Sequence, residues 1–140
     1  PKISNFIFDA FEKSTLAIID LDTIGQGSIL NDFGDMVRSF SNRYNESTSA
    51  KNNTKVLNKE ILQSLVDGYI SSAGCFLTKL ERDSLLLSAK AVSLVQCIRF
   101  YTDYLLGDTY YEIKDDDDNL LRAKNQYQLF CELKDVNLIL

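Results

Sequence analysis

Histidine and tryptophan are absent from the 140 residues, and proline and methionine occur once each. Without histidine there is no Ser-His-Asp triad, no imidazole general base and no His-ligated zinc. Positive charge is also in short supply. Fifteen Lys and Arg stand against 20 Asp and Glu, giving a net charge of −5 and a pI near 4.7. No basic stripe interrupts that balance, so nucleic acid is not expected as a partner. Long apolar runs are missing too, and those present are too short to cross a bilayer, so no membrane partner is expected. The opening Pro1-Lys2-Ile3-Ser4 carries neither an initiator Met nor the basic-then-apolar pattern of a secretory leader. It begins in the middle of a polar–apolar pattern, which suggests a fragment. Three cysteines, Cys75, Cys97 and Cys131, are odd in number and widely spaced. They are expected to be buried thiols of a reducing, cytoplasmic compartment rather than a disulfide frame or metal knuckle.

What is present is 45% apolar and 25% charged residues, enough for one domain with its own core. Asn5-Phe6-Ile7-Phe8-Asp9 and Leu16-Ala17-Ile18-Ile19-Asp20 are short aromatic and aliphatic runs, and together they predict a β-hairpin turning between Asp9 and Ser14. A lone hairpin is marginal in water, so it must pack on helices. After the loop Ile24–Ser28 the period lengthens. Phe33, Met36, Val37, Phe40 and Tyr44 mark one helix face, with Asn31 or Asp32 expected as N-cap. Residues 45–53 are rich in Ser, Thr and Asn and read as a surface loop.

A second helix is expected from Asn58 to Gly74, carrying Ile61, Leu62, Leu65, Val66, Tyr69 and Ile70. Thr78-Lys79-Leu80-Glu81 is a capping box for a third. That helix should end at Gly107, with a break near Leu85–Ser88 because the pattern is long. Leu94, Tyr101, Tyr104 and Leu105 are expected in its core face. A last helix starts near Asn119, behind a solvated Asp115–Asp118 loop. The loop lacks the spacing and terminal Glu of an EF-hand. The fold class expected is mainly α, with one small N-terminal β-hairpin.

Asp20-Leu21-Asp22 closes the second run. Carboxylates two apart on a strand share a face, and their hard oxygens suit Mg2+. Asn5, before the first strand, offers an amide oxygen to the same ion. By spacing alone the solvated turn is the favoured reading of this pattern.

Lys2-Ile3-Ser4-Asn5, followed by Ile18-Ile19-Asp20-Leu21-Asp22-Thr23, resembles the catalytic region of the aminoglycoside phosphotransferase and choline kinase superfamily. There a His-x-Asp-x-Lys-x-x-Asn loop precedes a strand pair ending in Asp-x-Asp. Asn31-Asp32-Phe33-Gly34-Asp35-Met36-Val37-Arg38, Leu87-Ser88-Ala89-Lys90, the segment Arg99–Tyr111 and Asn119–Gln126 are similar to one sugar-kinase branch, the N-acetylhexosamine 1-kinases, also called mucin desulfatases.

The resemblance implies the helical C-terminal lobe of a protein-kinase-like fold spanning residues 1–140. It also implies transfer of phosphate from ATP, with Mg2+, to the anomeric hydroxyl of an N-acetylhexosamine. Other small alcohols (an aminoglycoside, choline, homoserine) are the alternative acceptors. A non-catalytic helical interaction domain is a third reading. Asn5, Asp20 and Asp22 would be the metal residues, and Arg99 and Tyr110 the sugar-binding ones, with Asp103 and Asp108 as further pocket candidates. The catalytic Asp is expected just before Pro1, and the nucleotide lobe also lies outside the chain, so the fragment should be inactive and prone to self-association. Asp32-Phe33-Gly34 spells the metal-binding tripeptide of protein kinases. Its expected role here is structural, with Asp32 capping a helix and Phe33 in the core.

Overall fold

The computed structural model describes residues 1–11, 14–22, 24–44 and 55–137. The expected loop at residues 45–53 lies outside the described residues. The chain is mainly helical, with one two-stranded antiparallel hairpin at its start. A 3-10 turn, Ile3–Asn5, leads into β1 (Phe6–Phe8), which pairs with β2 (Thr15–Ile18). Phe6 lies opposite Ile18 and Ile7 opposite Ala17, and an irregularity after Ile7 sets Phe8 against Thr15. Two anchors hold the hairpin to the helix that follows. The Phe6 ring meets Phe40 edge-on at 5.3 Å, and the Ile3 N–H donates to Ser39 Oγ at 2.8 Å.

That helix, α1 (Ile29–Phe40), starts three or four residues earlier than an N-cap at Asn31 or Asp32 would set it. Ser28, not Asn31 or Asp32, is its N-cap, accepting from the Leu30 N–H. Asp32 is therefore an exposed first-turn acid, favourable at the positive helix end. Tyr44 falls beyond the C-terminus. Phe33 and Val37 are fully buried, and so is Arg38, whose Nε and Nη2 donate to Asp35 Oδ1 at 2.9 and 2.6 Å.

α2 (Lys59–Ala73) is capped by Asn58 and stops at Gly74, as its pattern predicts. The extended Val56-Leu57 ahead of it is clamped by the Glu132 carboxylate, which accepts both backbone N–H groups at 3.0 Å. α3 (Lys79–Leu105) opens on the expected capping box of Thr78 and Glu81. It runs unbroken for 27 residues, without the expected break at Leu85–Ser88. Leu85, Ser88 and Ala89 are instead a buried contact strip. Gly107, at φ +86°, and Asp108, at φ +56°, then turn the chain.

α4 (Asp118–Lys134) packs along α3, and α3 also packs on α1. The core is Phe33, Val37, Val56, Leu57, Leu62, Val66, Leu85, Ala89, Leu129 and Leu133, closed by Val136.

Several expectations are corrected by burial. Tyr101 and Leu105 are exposed, and Leu94 and Tyr104 only half-buried, because the core face of α3 is the opposite one, carrying Leu85, Ala89, Ser93, Phe100 and Asp103. Cys75 is exposed, while Cys97 and Cys131 are half-buried; all three are free thiols. Asp118 does not belong to a solvated loop. It is buried, accepts the Lys114 N–H at 2.8 Å and faces Arg122 at 3.9 Å. Among the described residues no helix is long and apolar enough to cross a membrane.

Candidate functional site

The 3-10 turn and β2 bring Asn5 and Asp20 together. The Ile19 N–H donates to the Asn5 carbonyl at 2.8 Å, extending the hairpin by one bond past its last strand pair. Side by side on that bond, Asn5 Nδ2 donates to Asp20 Oδ2 at 2.9 Å. Asn5 Oδ1 accepts the Lys2 N–H at 2.7 Å and keeps a second lone pair. Asp20 sits at φ +63°, a left-handed conformation that Asp tolerates better than most residues but at a cost of about 1 kcal/mol or more.

These two side chains face a cavity of about 770 Å³ beneath the hairpin. Its opposite wall is the start of α1, which contributes Ser28, Asp32 and Asp35. Three carboxylates, Asp20, Asp32 and Asp35, thus border one opening together with Lys2; Asp35 is already paired with Arg38 at 2.6 Å, which leaves Asp20 and Asp32 as the carboxylates open to a cation. Asp22 is not among them. The strand alternation that would align it with Asp20 ends at Ile18, and the left-handed turn at Asp20 redirects the chain. Asp22 is exposed and lines no part of the cavity.

A second cleft, of about 460 Å³, lies between α1 and α3. It shares Asn31, Asp32 and Asp35 with the first, and its α3 wall includes Gln96 and Arg99. Of the candidate residues, Asn5 and Asp20 on one side and Arg99 on the other therefore line adjoining clefts with a common wall at Asn31, Asp32 and Asp35. No protein-family model matches the chain.

Tyr110 lines neither cleft and is 74% exposed, but it flanks Arg99. The guanidinium carbon lies 5.9 Å from the Tyr110 ring and 5.7 Å from the Tyr111 ring, within cation–π range. The rings meet edge-on at 4.8 Å, and the Tyr111 hydroxyl accepts from Gln96 Nε2 at 3.2 Å.

What poses this pair is Asp103. Its buried carboxylate accepts the backbone N–H groups of Thr109, Tyr110 and Tyr111 at 2.9–3.1 Å and Asn119 Nδ2 at 2.9 Å. Burial raises the Asp103 carboxyl, but the N–H groups of Tyr111, Tyr110 and Thr109 outweigh it, so its pKa lies below the ordinary 3.8. Asn119 also donates to Asp108 Oδ1 at 2.8 Å. Asp103 and Asp108 are thus loop-fastening groups and not open pocket ligands, and neither side chain caps a helix end, since their partners are the loop N–H groups of Thr109–Tyr111 and the Asn119 amide.

The donors around the first cavity suit a hard cation. Among the described residues no three His, Cys, Asp or Glu side chains converge to hold a metal by themselves. Mg2+ does not require that, since it keeps waters and substrate phosphates and takes only one or two protein carboxylates. The residues that the sequence pattern did not mark are Asp35 and Gln96. The i,i+3 spacing of Asp32 and Asp35 puts both on one helix side. That the side faces a cavity depended on where the hairpin docks.

Proposed function

We propose that this chain is the helical, acceptor-side lobe of a kinase that transfers phosphate from ATP to the hydroxyl of a small molecule, most specifically the anomeric hydroxyl of an N-acetylhexosamine. The observation carrying the reading is the 2.9 Å contact between Asn5 and Asp20 at the mouth of the acidic cavity. When bound, Mg2+ would neutralise charge on the β- and γ-phosphates. Asp20 and Asn5 would hold it through a carboxylate and an amide oxygen. The catalytic work left to such a site is positioning and charge neutralisation.

Arg99, in the adjoining cleft, would orient the acceptor. A guanidinium offers forked donors to sugar hydroxyls or an acyl carbonyl. The Tyr110 face would cover an apolar ring surface. On this reading the base that takes the hydroxyl proton and the lysine that holds the nucleotide belong to other parts of the protein, and residues 1–140 alone do not turn over.

The test uses the protein with its nucleotide-binding lobe, supplied with ATP, Mg2+ and a panel of sugars. Sugar-dependent ADP release is expected, with Asp20→Ala lowering kcat by at least about 100-fold, the scale of losing one transition-state charge stabiliser. No sugar-dependent release, or release indifferent to Asp20→Ala, removes the proposal. A second acceptor class, a cationic alcohol such as choline or an aminoglycoside, is favoured by one observation, the exposed Asp32 carboxylate that borders both clefts. Calorimetry with N-acetylglucosamine against choline separates the two.

A further inference from the structure

α3 has two apolar faces, and among the described residues only one of them is packed. Its core face packs on α1 and α4 through Leu85, Ala89, Ser93 and Phe100. On the opposite side a second series recurs at alternating steps of four and three residues along the whole helix. Leu80, Leu87, Leu94 and Tyr101 fall at every seventh position, and Ser84, Ala91, Ile98 and Leu105 fill the positions between them. This is the heptad pattern of a coiled-coil seam, sustained through the full 27 residues, a length of about 40 Å. Apart from half-buried Leu94, its large side chains are exposed, from 48% at Tyr101 to 76% at Leu80.

We infer that this seam is an interface between two copies of the chain, packed antiparallel along α3. The area fits. Leu80, Leu87, Val95, Ile98, Tyr101 and Leu105 each leave on the order of 100 Å² exposed, so two copies offer on the order of 1,200 Å², the lower end of a specific interface.

The order of sizes sets the direction. In an antiparallel pair each in-between position faces an every-seventh position of the other copy. Ser84 then meets Tyr101 and Ala91 meets Leu94, while Leu87 meets Ile98 and Leu80 meets Leu105. No small residue then meets another small one and no Tyr meets Tyr, so the layers are more even in volume than in the alternative. A parallel pair would instead stack Ser84 on Ser84 and Tyr101 on Tyr101. The antiparallel contact is also isologous, so it closes at two copies. Its flanking positions set Asp83 near Tyr104 and Lys90 near Cys97, so no like charges face each other. Ala91 and Val95 also line the cleft that holds Arg99, so the second copy would form that cleft's outer rim.

The test is the mass of the chain by analytical ultracentrifugation from about 1 to about 100 μM, a range over which a dimer of this size shows its concentration dependence. A twofold rise in mass is expected. Leu87→Glu with Ile98→Glu should hold the mass at one copy throughout. Helical circular dichroism should be unchanged, because both side chains are exposed and Glu is a good helix former. Leu87→Ala with Ile98→Ala is the milder pair, to be used should the glutamates disturb the fold. Ile7→Glu with Ile18→Glu, on the exposed hairpin, should leave the dimer intact. A single-copy mass at every concentration, or a dimer that survives both seam variants, overturns the inference. So does one dissolved only by the hairpin variant. With the three native cysteines replaced by Ser, Ser84→Cys and Tyr101→Cys chains should cross-link only when mixed. Self-cross-linking of either one overturns the antiparallel order.

Discussion

Gly34 offers a test of how α1 sits on α3, and therefore of the wall between the two clefts. A Cβ built there would stand 2.6 Å from Val92 Cγ2 and 2.8 Å from the Ser88 carbonyl oxygen. The valine end can shift, but the carbonyl belongs to the α3 backbone and cannot yield without moving the helix. Gly34→Ala carries two opposing effects. Alanine's greater helix propensity favours the variant by about 1 kcal/mol. Forcing a methyl into a filled contact costs about 1–3 kcal/mol, and the backbone clash places this site at the upper end. The net expectation is destabilisation by about 1–2 kcal/mol.

Gly68 is the matched control. It lies on the exposed side of α2 with nothing within 4 Å of a built Cβ, so Gly68→Ala meets only the favourable effect and should stabilise by about 0.5–1 kcal/mol. The two variants share the same chemical change and should move in opposite directions. Urea unfolding followed by circular dichroism reads the difference as a separation of midpoints of about 1 M. A Gly34→Ala chain as stable as the parent would refute the close approach, and with it the position given to Asp32 and Asp35 in the cleft wall.

Three further outcomes are expected. The Asp103 carboxyl has a folded pKa below the ordinary 3.8, so the unfolded chain takes up its proton first. Its contribution is therefore complete above about pH 5 and is lost as pH falls through the folded pKa. Asp103→Asn should flatten the acid side of a urea-midpoint against pH curve, and an unchanged slope would contradict the hydrogen-bond arrangement at Thr109–Tyr111. At Asp20, φ +63° suits glycine better than aspartate, so Asp20→Gly should leave stability equal or higher by about 1 kcal/mol while abolishing phosphotransfer in the protein with its nucleotide lobe. A large loss of stability would instead mark Asp20 as a structural residue. Among the thiols, exposed Cys75 should react first with a disulfide reagent, and Cys97, whose pKa is pushed up by burial and by nearby Cys131, more slowly. Equal rates under native conditions would contradict that order.

The elements were legible wherever local chemistry decides them. Asn58, the Thr78–Glu81 capping box and Gly107 each mark a helix end by satisfying or redirecting backbone at that point, so no distant contact was needed to find them. The start of α1 was misplaced because Ser28, Asn31 and Asp32 are all competent caps. The choice among them is made by where the loop leaves the hairpin, which is a tertiary matter. The neighbourhood of Asn5 and Asp20 was likewise readable, since the two flank the strands of one hairpin and its register sets Asn5 opposite Ile19, one residue from Asp20. The placement of Asp22 was not, because it hinges on one left-handed residue that period-two alternation does not encode.

The Asp32-Phe33-Gly34 tripeptide shows how one short motif divides among unrelated physical demands. Asp32 is drawn to the cavity side of α1, Phe33 is fully buried against Tyr69 at 4.9 Å, and Gly34 exists for the α3 backbone. α3 presents the converse problem. Its core face and its exposed heptad stripe are both apolar, so the pattern of hydrophobic residues shows a helix but not which side is buried. The polar residues decide it. Ser88, Ser93 and Asp103 are buried because each satisfies a nearby backbone group: Ser88 donates to the Leu85 carbonyl, Ser93 to the Ala89 carbonyl, and Asp103 receives the Thr109–Tyr111 N–H groups. On this helix the inward face is the one whose polar side chains find partners within the chain, and the outward face carries Leu, Ile and Tyr that stay exposed among the described residues.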